Sequence, residues 1–182
     1  MKELSLNILD ITENSTKAKA TLVEILLTED DDTLTVTVKD NGTGMTEEIL
    51  EHVRNPFYTT RTTRKVGMGI PLFQFAAEQT GGSVTIESRH IDAYPDSHGT
   101  VISALFYKKH IDFTPLGDVV STIVTLIQGH PGIDFVFNHK VNTAEITLDT
   151  RELRAVLGDV PLDTFEVLIW IKENLEEQYN SI

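Results

Sequence analysis

Cysteine is absent from the chain, and with it go disulfides, thiolate metal sites and cysteine nucleophiles. Long apolar runs are missing too. Stretches such as Val167 to Ile171 are far too short to span a bilayer, and polar groups interrupt the opening MKELSLNILDITENS. Positive charge is scarce: 15 Lys and Arg stand against 28 Asp and Glu, a formal net charge of -13. Residues 1–110 carry 11 basic against 16 acidic side chains, and residues 111–182 carry 4 against 12. A nucleic-acid clamp needs a basic stripe to displace counterions, so neither part suits that role. The Walker-type G-x-x-x-x-G-K-S/T and the dinucleotide G-x-G-x-x-G do not occur, and the acidic run Glu29 to Asp32 lacks the Gly and distal Glu of a calcium loop. No histidines pair at metal-ligand spacing, and there is no internal repeat or low-complexity segment. What remains, 40% hydrophobic and 24% charged over 182 residues, is the composition of an ordinary folded protein with length for one large or two small cores. A soluble, cytoplasmic protein without nucleic-acid or membrane partners is expected.

Residues 3–18 show helical periodicity in Leu4, Ile8, Ile11, Ser15 and Ala18. Glu3, Asn7, Asp10, Asn14 and Lys17 recur at steps of four and three and form one polar stripe, read on periodicity alone as a solvated face. Two strands follow, Leu22 to Thr28 and Leu34 to Lys39, the second alternating Leu34, Val36 and Val38 with polar residues. Thr46 is placed to cap a helix to about Val53, and a helix from Gly69 to about Thr80 ends at Gly81–Gly82. Strands are expected near Ser83–His90 and Thr100–Tyr107. The texture changes at residues 108–116. Beyond it the pattern predicts a helix at about 116–128, strands at 133–138 and 143–148, a short helix at 150–157 and a last helix at 163–179, with Asp163 and Glu166 spaced as a capping box.

Two segments carry chemistry. In DNGTGM, Asp40 to Met45, a carboxylate stands at a strand end with two glycines behind it. Such a carboxylate can accept from the exocyclic amine of adenine, and glycine lets a flat ligand approach the backbone; Asp-Asn-Gly is equally ordinary turn chemistry. In NPFYTTRTTRKVGMGIPL, Asn55 to Leu72, Gly67 and Gly69 precede a helix whose start suits Pro71. Free amides there form an anion site aided by the helix dipole. Arg61, Arg64 and Lys65 add cations in an acidic protein, favouring phosphate.

Read in order, these pieces resemble the GHKL superfamily of histidine-kinase catalytic domains, gyrase B, MutL and the large heat-shock chaperones. DITENSTKAKAT, Asp10 to Thr21, resembles its N box. DNGTGM resembles its first glycine box, NPFYTT its lid box with Phe57 and Thr60, GMGIPL its second glycine box, and Gly99–Thr100 the late Gly-Thr beside the base. The resemblance implies Mg²⁺ contact by Asn14, an adenine contact by Asp40 with room made by Gly42 and Gly44, and a water-mediated base contact by Thr100. It also implies phosphate contacts by Gly67 and Gly69 with Arg64 or Lys65. Lys17, Met45, Met68 and Ile70 complete the implied ATP-binding set, and Asp10 takes the position of the carboxylate that orients and deprotonates the nucleophile. On this reading the stripe of Asn7, Asp10, Asn14 and Lys17 lines the pocket. Asp10 stands where the longer Glu is common, and Ser15 follows Asn14 as in MutL-like sequences where kinases usually have Ala.

The implied fold is a two-layer α/β sandwich of the Bergerat type, a mixed sheet with helices on one face and Asn55 to Val66 as a lid. Residues 1–109 are expected to form the ATP-binding domain and residues 110–182 a small α+β unit that also makes a homodimer contact. With its first motif at residue 10 the chain is expected not to be a complete sensor kinase, and His52 is read as a surface histidine. A stand-alone pocket of this size resembles the anti-sigma serine kinases. Residues 110–182 resemble a group of small bacterial proteins, a likeness that supplies no activity. ATP or ADP with Mg²⁺ and a protein partner are the expected ligands. Phosphotransfer to that partner, slow ATP hydrolysis and an ATP-controlled binding switch all remain open.

Overall fold

The computed structural model describes residues 3–54 and 69–182. Helix α1 (Leu4–Lys17) buries Leu4, Ile8, Ile11 and Ser15, as its periodicity predicts. Strands β1 (Leu22–Glu29) and β2 (Thr33–Asp40) pair antiparallel through a hairpin whose Asp30 carboxylate accepts from the Asp32 and Thr33 amides. Helices α2 (Glu47–Arg54) and α3 (Gly69–Gln79) follow, then β3 (Ser83–Arg89) and β4 (Gly99–Tyr107), which pairs with both β3 and β2. Across the change of texture lie α4 (Val119–Gly129), β5 (Asp134–Val141), β6 (Ala144–Asp149), α5 (Thr150–Leu157) and α6 (Phe165–Asn180).

Strand β5 runs parallel to β1, so the sheet continues without interruption in the order β3-β4-β2-β1-β5-β6. Every other neighbouring pair is antiparallel. The sheet is therefore mixed. The segment after β4 also caps the first helix, because the Leu4 and Ser5 amides donate to the Pro115 and Leu116 carbonyls at 2.9 and 2.8 Å.

Burial alternates over the first six residues of β1, β2 and β5, as a half-covered sheet requires. Val23, Ile25 and Leu27, Leu34, Val36 and Val38, and Phe135 and Phe137 form the covered face, on which α1 packs between α3 and α4 and α4 packs on α6. Thr37 and Ser103 bond across the opposite face at 2.8 Å, beside the Lys39–Glu24 ion pair. This is the expected two-layer sandwich. The last helix begins differently from its predicted capping box: Thr164 is the N-cap without a side-chain cap bond, and its hydroxyl donates back to the Pro161 carbonyl at 2.7 Å. The local turn at Pro161 therefore takes the hydroxyl that a capping box would use. Among the described residues no helix is long and apolar enough to cross a membrane.

Candidate functional site

Strand parity places the site. Asp40 follows Leu34, Val36 and Val38 at steps of two, so it ends the row of side chains that faces the helices. In the sheet register Asp40 lies opposite Thr100, and Thr100 lies opposite Ser88. Three polar residues from β2, β4 and β3 thus stand side by side where the apolar face stops.

Helix α1 supplies the contact from above. The buried Ser15 hydroxyl donates to Asp40 Oδ2 at 2.6 Å, and the Gly42 amide donates to Oδ1 at 2.8 Å. A carboxylate has about four acceptor positions, so these two bonds fix its plane and leave capacity for a ligand amine. Ser88 accepts from the Met45 amide at 2.7 Å and has one proton for the Gly99 carbonyl or the Thr100 hydroxyl, at 3.2 and 2.8 Å. The Gly42 carbonyl can only accept, so His98 Nδ1, 2.6 Å away, carries the proton.

The glycines serve the chain's own packing. At Gly42 an added Cβ would come 2.8 Å from the Ala18 carbonyl, whose oxygen accepts from the Thr43 amide. At Gly44 the backbone is left-handed, φ +70°, and a Cβ would lie 2.0 Å from the Arg89 carbonyl. Asn41 holds the other side of the turn, accepting from the Thr21 and Leu22 amides at 2.9 and 3.0 Å. The result is an open cleft of about 420 Å³ lined by Asp40, Leu50, Ser88, Arg89, His98 and Thr100 among others. That volume is in the range of small-molecule sites.

A second cluster sits where α1 meets α3. Gly69, the first residue of α3, is buried against Asp10: a Cβ there would lie 3.0 Å from the Asp10 Cβ. Asp10 itself is exposed, and its carboxylate has no hydrogen-bond partner among the described residues. One turn on, Asn14 is half-buried, and Lys17 beyond it is exposed. Helix α3 begins here at Gly69, so the positive end of its dipole lies beside Asp10, and Ile70 in its first turn is buried. Asn7 differs from the rest of the stripe. It is only 1% exposed, and neither of its amide atoms has a hydrogen-bond partner among the described residues.

The structure therefore brings Asp10, Asn14 and Gly69 together, and separately Asp40, Gly42, Gly44, Met45 and Thr100. Phe57, Thr60, Arg61, Arg64, Lys65, Gly67 and Met68, and the lid assigned to Asn55–Val66, lie outside the described residues. Sequence reasoning missed Ser88 and His98 and gave Ser15 no role. Ser88 carries no motif, and its signal is a register that pairs it with Thr100. His98 adjoins the Gly-Thr pair, and Ser15 adjoins Asn14; adjacency to a recognised box was the available cue.

The chain is 34% identical over 87 residues to sporulation kinase A of Bacillus subtilis, covering 48% of this chain and 13% of that protein. It is 31% identical over 83 residues to the sensor histidine kinase CpxA of Escherichia coli, covering 43% of this chain and 18% of that one. The chain thus spans less than a fifth of either relative. Among solved structures, the Aquifex aeolicus MutL ATPase domain complexed with ADP aligns over 99% of this chain and 70% of its own, with a TM-score of 0.51 at 15% identity. The N-terminal domain of a DNA repair protein aligns over 87% and 58%, with a TM-score of 0.53 at 13% identity. At these identities the likeness is one of fold. The model of the histidine kinase-, DNA gyrase B- and HSP90-like ATPases matches residues 1–110, and the chain belongs to that family.

Proposed function

We propose that the chain binds ATP and ADP with Mg²⁺ at one site and hydrolyses ATP or transfers its γ-phosphate to a protein partner. The observation that carries this reading is the Asp40 carboxylate, held on both oxygens by Ser15 and Gly42 and opening with Thr100 on a cleft. Adenine offers this carboxylate an amine; guanine has a carbonyl at that position, which a carboxylate repels. The phosphates would extend toward Asp10, Asn14 and the start of α3, where helix amides favour anions. Relatives named as kinases support phosphotransfer.

Asn14 fits the metal by its chemistry. No three His, Asp or Glu side chains converge on a cation position among the described residues, whereas a hard cation accepts a side-chain amide oxygen together with phosphate and water oxygens. Bound there, Mg²⁺ would neutralise developing phosphate charge. Asp10 would orient the nucleophile and take its proton. The switch reading draws support from the same residue, since its carboxylate is short, exposed and not oriented by any partner among the described residues.

Calorimetry with ATP, ADP and GTP tests binding: adenine nucleotides should bind at one site per chain and GTP much more weakly. Incubation with ATP labelled at the γ-phosphate then separates the outcomes. Labelled protein indicates a kinase, free phosphate an ATPase, and neither, with binding retained, the switch. Equal affinity for GTP and ATP would remove the basis of the proposal.

A further inference from the structure

Helices α5 and α6 leave a groove of about 450 Å³ lined by Leu153, Val156, Leu157, Val167, Trp170 and Glu166. Its apolar side chains are not tucked away: Val156 is 86% exposed and Trp170 50%. Phe165, 71% exposed, and Ile169 lie one turn apart on α6 and outside the groove, with the Glu166–Glu173 row between them and Trp170. Single exposed apolar residues are common, but exposed large ones gathered along one groove mark an interaction surface.

The rim identifies the occupant. Glu152, Asp159, Asp163, Glu166 and Glu173 are all exposed, and none of their carboxylates has an ion-pair partner among the described residues. The basic side chains of the same two helices are already engaged: Arg151 with Asp149 at 2.6 Å, Arg154 with Asp134 at 2.7 Å and Lys172 with Glu176 at 3.7 Å. The groove is therefore apolar within a negative field. A second copy of the chain would bring the same carboxylates against these, a like-charge arrangement that opposes association. An anionic membrane surface would be repelled in the same way.

We propose that the groove between α5 and α6 is a docking site for a basic amphipathic helix of another protein, its apolar stripe seated on Val156, Leu157 and Trp170 and its Lys and Arg side chains meeting the rim. Helix-in-groove recognition uses this combination of a buried stripe and flanking charge. The inference does not depend on the nucleotide reading, because it involves none of the residues of that site.

Trp170 is the single tryptophan of the chain, so its emission reports occupancy directly. The full chain is titrated with a synthetic Leu–Lys amphipathic helix of about four turns and with its Leu–Glu counterpart. A saturable blue shift is expected with the Leu–Lys helix and none with the Leu–Glu helix. Both Val156→Asp and the pair Glu166→Lys with Glu173→Lys should weaken binding by about tenfold or more. These positions are exposed, and circular dichroism checks that each variant is folded. Undiminished binding by Val156→Asp would show general attraction to an acidic protein and overturn the proposal. A blue shift that grows with protein concentration alone, with a dimer mass by light scattering, would overturn it in favour of a second copy.

Discussion

Replacing Asp40 by Ala removes a carboxylate with one role in the fold and a second one proposed in binding, and the structure allows them to be separated. Within the fold, Oδ2 receives the Ser15 hydroxyl at 2.6 Å and Oδ1 the Gly42 amide at 2.8 Å. Toward the ligand, the same group is proposed to receive the adenine amine. A hydrogen bond to a charged group is worth about 1.5–3 kcal/mol, and each 1.4 kcal/mol is about tenfold in affinity. Asp40→Ala should therefore lower ATP affinity by roughly ten- to hundredfold and erase the preference for ATP over GTP. It also leaves the buried Ser15 hydroxyl without its acceptor, so a loss of about 1–3 kcal/mol in urea denaturation is expected as well. Ser15→Ala supplies the control. It removes the donor but keeps the carboxylate, so stability should fall by about 1 kcal/mol while the choice between ATP and GTP persists. Calorimetry on the folded variants reads binding, and denaturation reads the fold. Wild-type ATP affinity and selectivity in Asp40→Ala would refute the adenine assignment, whatever the change in stability.

The remaining expectations address catalysis, backbone and pH. Asp10→Asn should leave nucleotide affinity nearly intact and lower turnover by roughly a hundredfold, whereas Asn14→Ala should weaken magnesium-dependent binding itself; unchanged phosphate release in Asp10→Asn would remove that carboxylate from the mechanism. Gly44→Ala should destabilise by more than about 2 kcal/mol, because its φ of +70° is unfavourable for alanine and its Cβ would meet the Arg89 carbonyl at 2.0 Å; an unaltered urea midpoint would contradict this. His139 is buried, its Nε2 on Glu29 at 3.0 Å and its Nδ1 on the Tyr179 hydroxyl at 2.7 Å. Burial pushes the imidazole below its ordinary 6.5, outweighing the opposing Glu29 carboxylate. The native state then binds fewer protons than the unfolded chain, so this contribution to stability is complete above pH 6.5 and declines as pH falls through that value toward the folded pKa. Urea midpoints across this window should show a slope that His139→Gln reduces, and an identical slope in the variant would exclude His139 as its source.

Local order was legible in the chain because it depends on local pattern. The period of Leu4, Ile8 and Ile11 specified α1, the alternation of Leu34, Val36 and Val38 specified β2, and glycines after Asp40 announced a turn. The ordered boxes carry the family's signature in the sequence alone. Pattern could not say which face of a helix meets a partner. Asn7 belongs by period to the polar stripe, yet it is buried, while Asp10 on the same stripe is exposed beside Gly69. The beginning of α6 departs from its local pattern for a related reason, because Asp163 and Glu166 have the spacing of a cap but the turn at Pro161 sets the entry.

Pairings between distant segments were decided by tertiary structure. The elements, the acidic surface and the residue types of the candidate site follow from composition or short-range period. That β5 joins β1 in parallel, that Ser88 stands beside Thr100, that Ser15 grips Asp40, and that an apolar groove stays open between α5 and α6 depend on register and on the packing of helices against the sheet. Register is fixed when one whole face of every strand must be buried at once, a condition no short window of sequence contains.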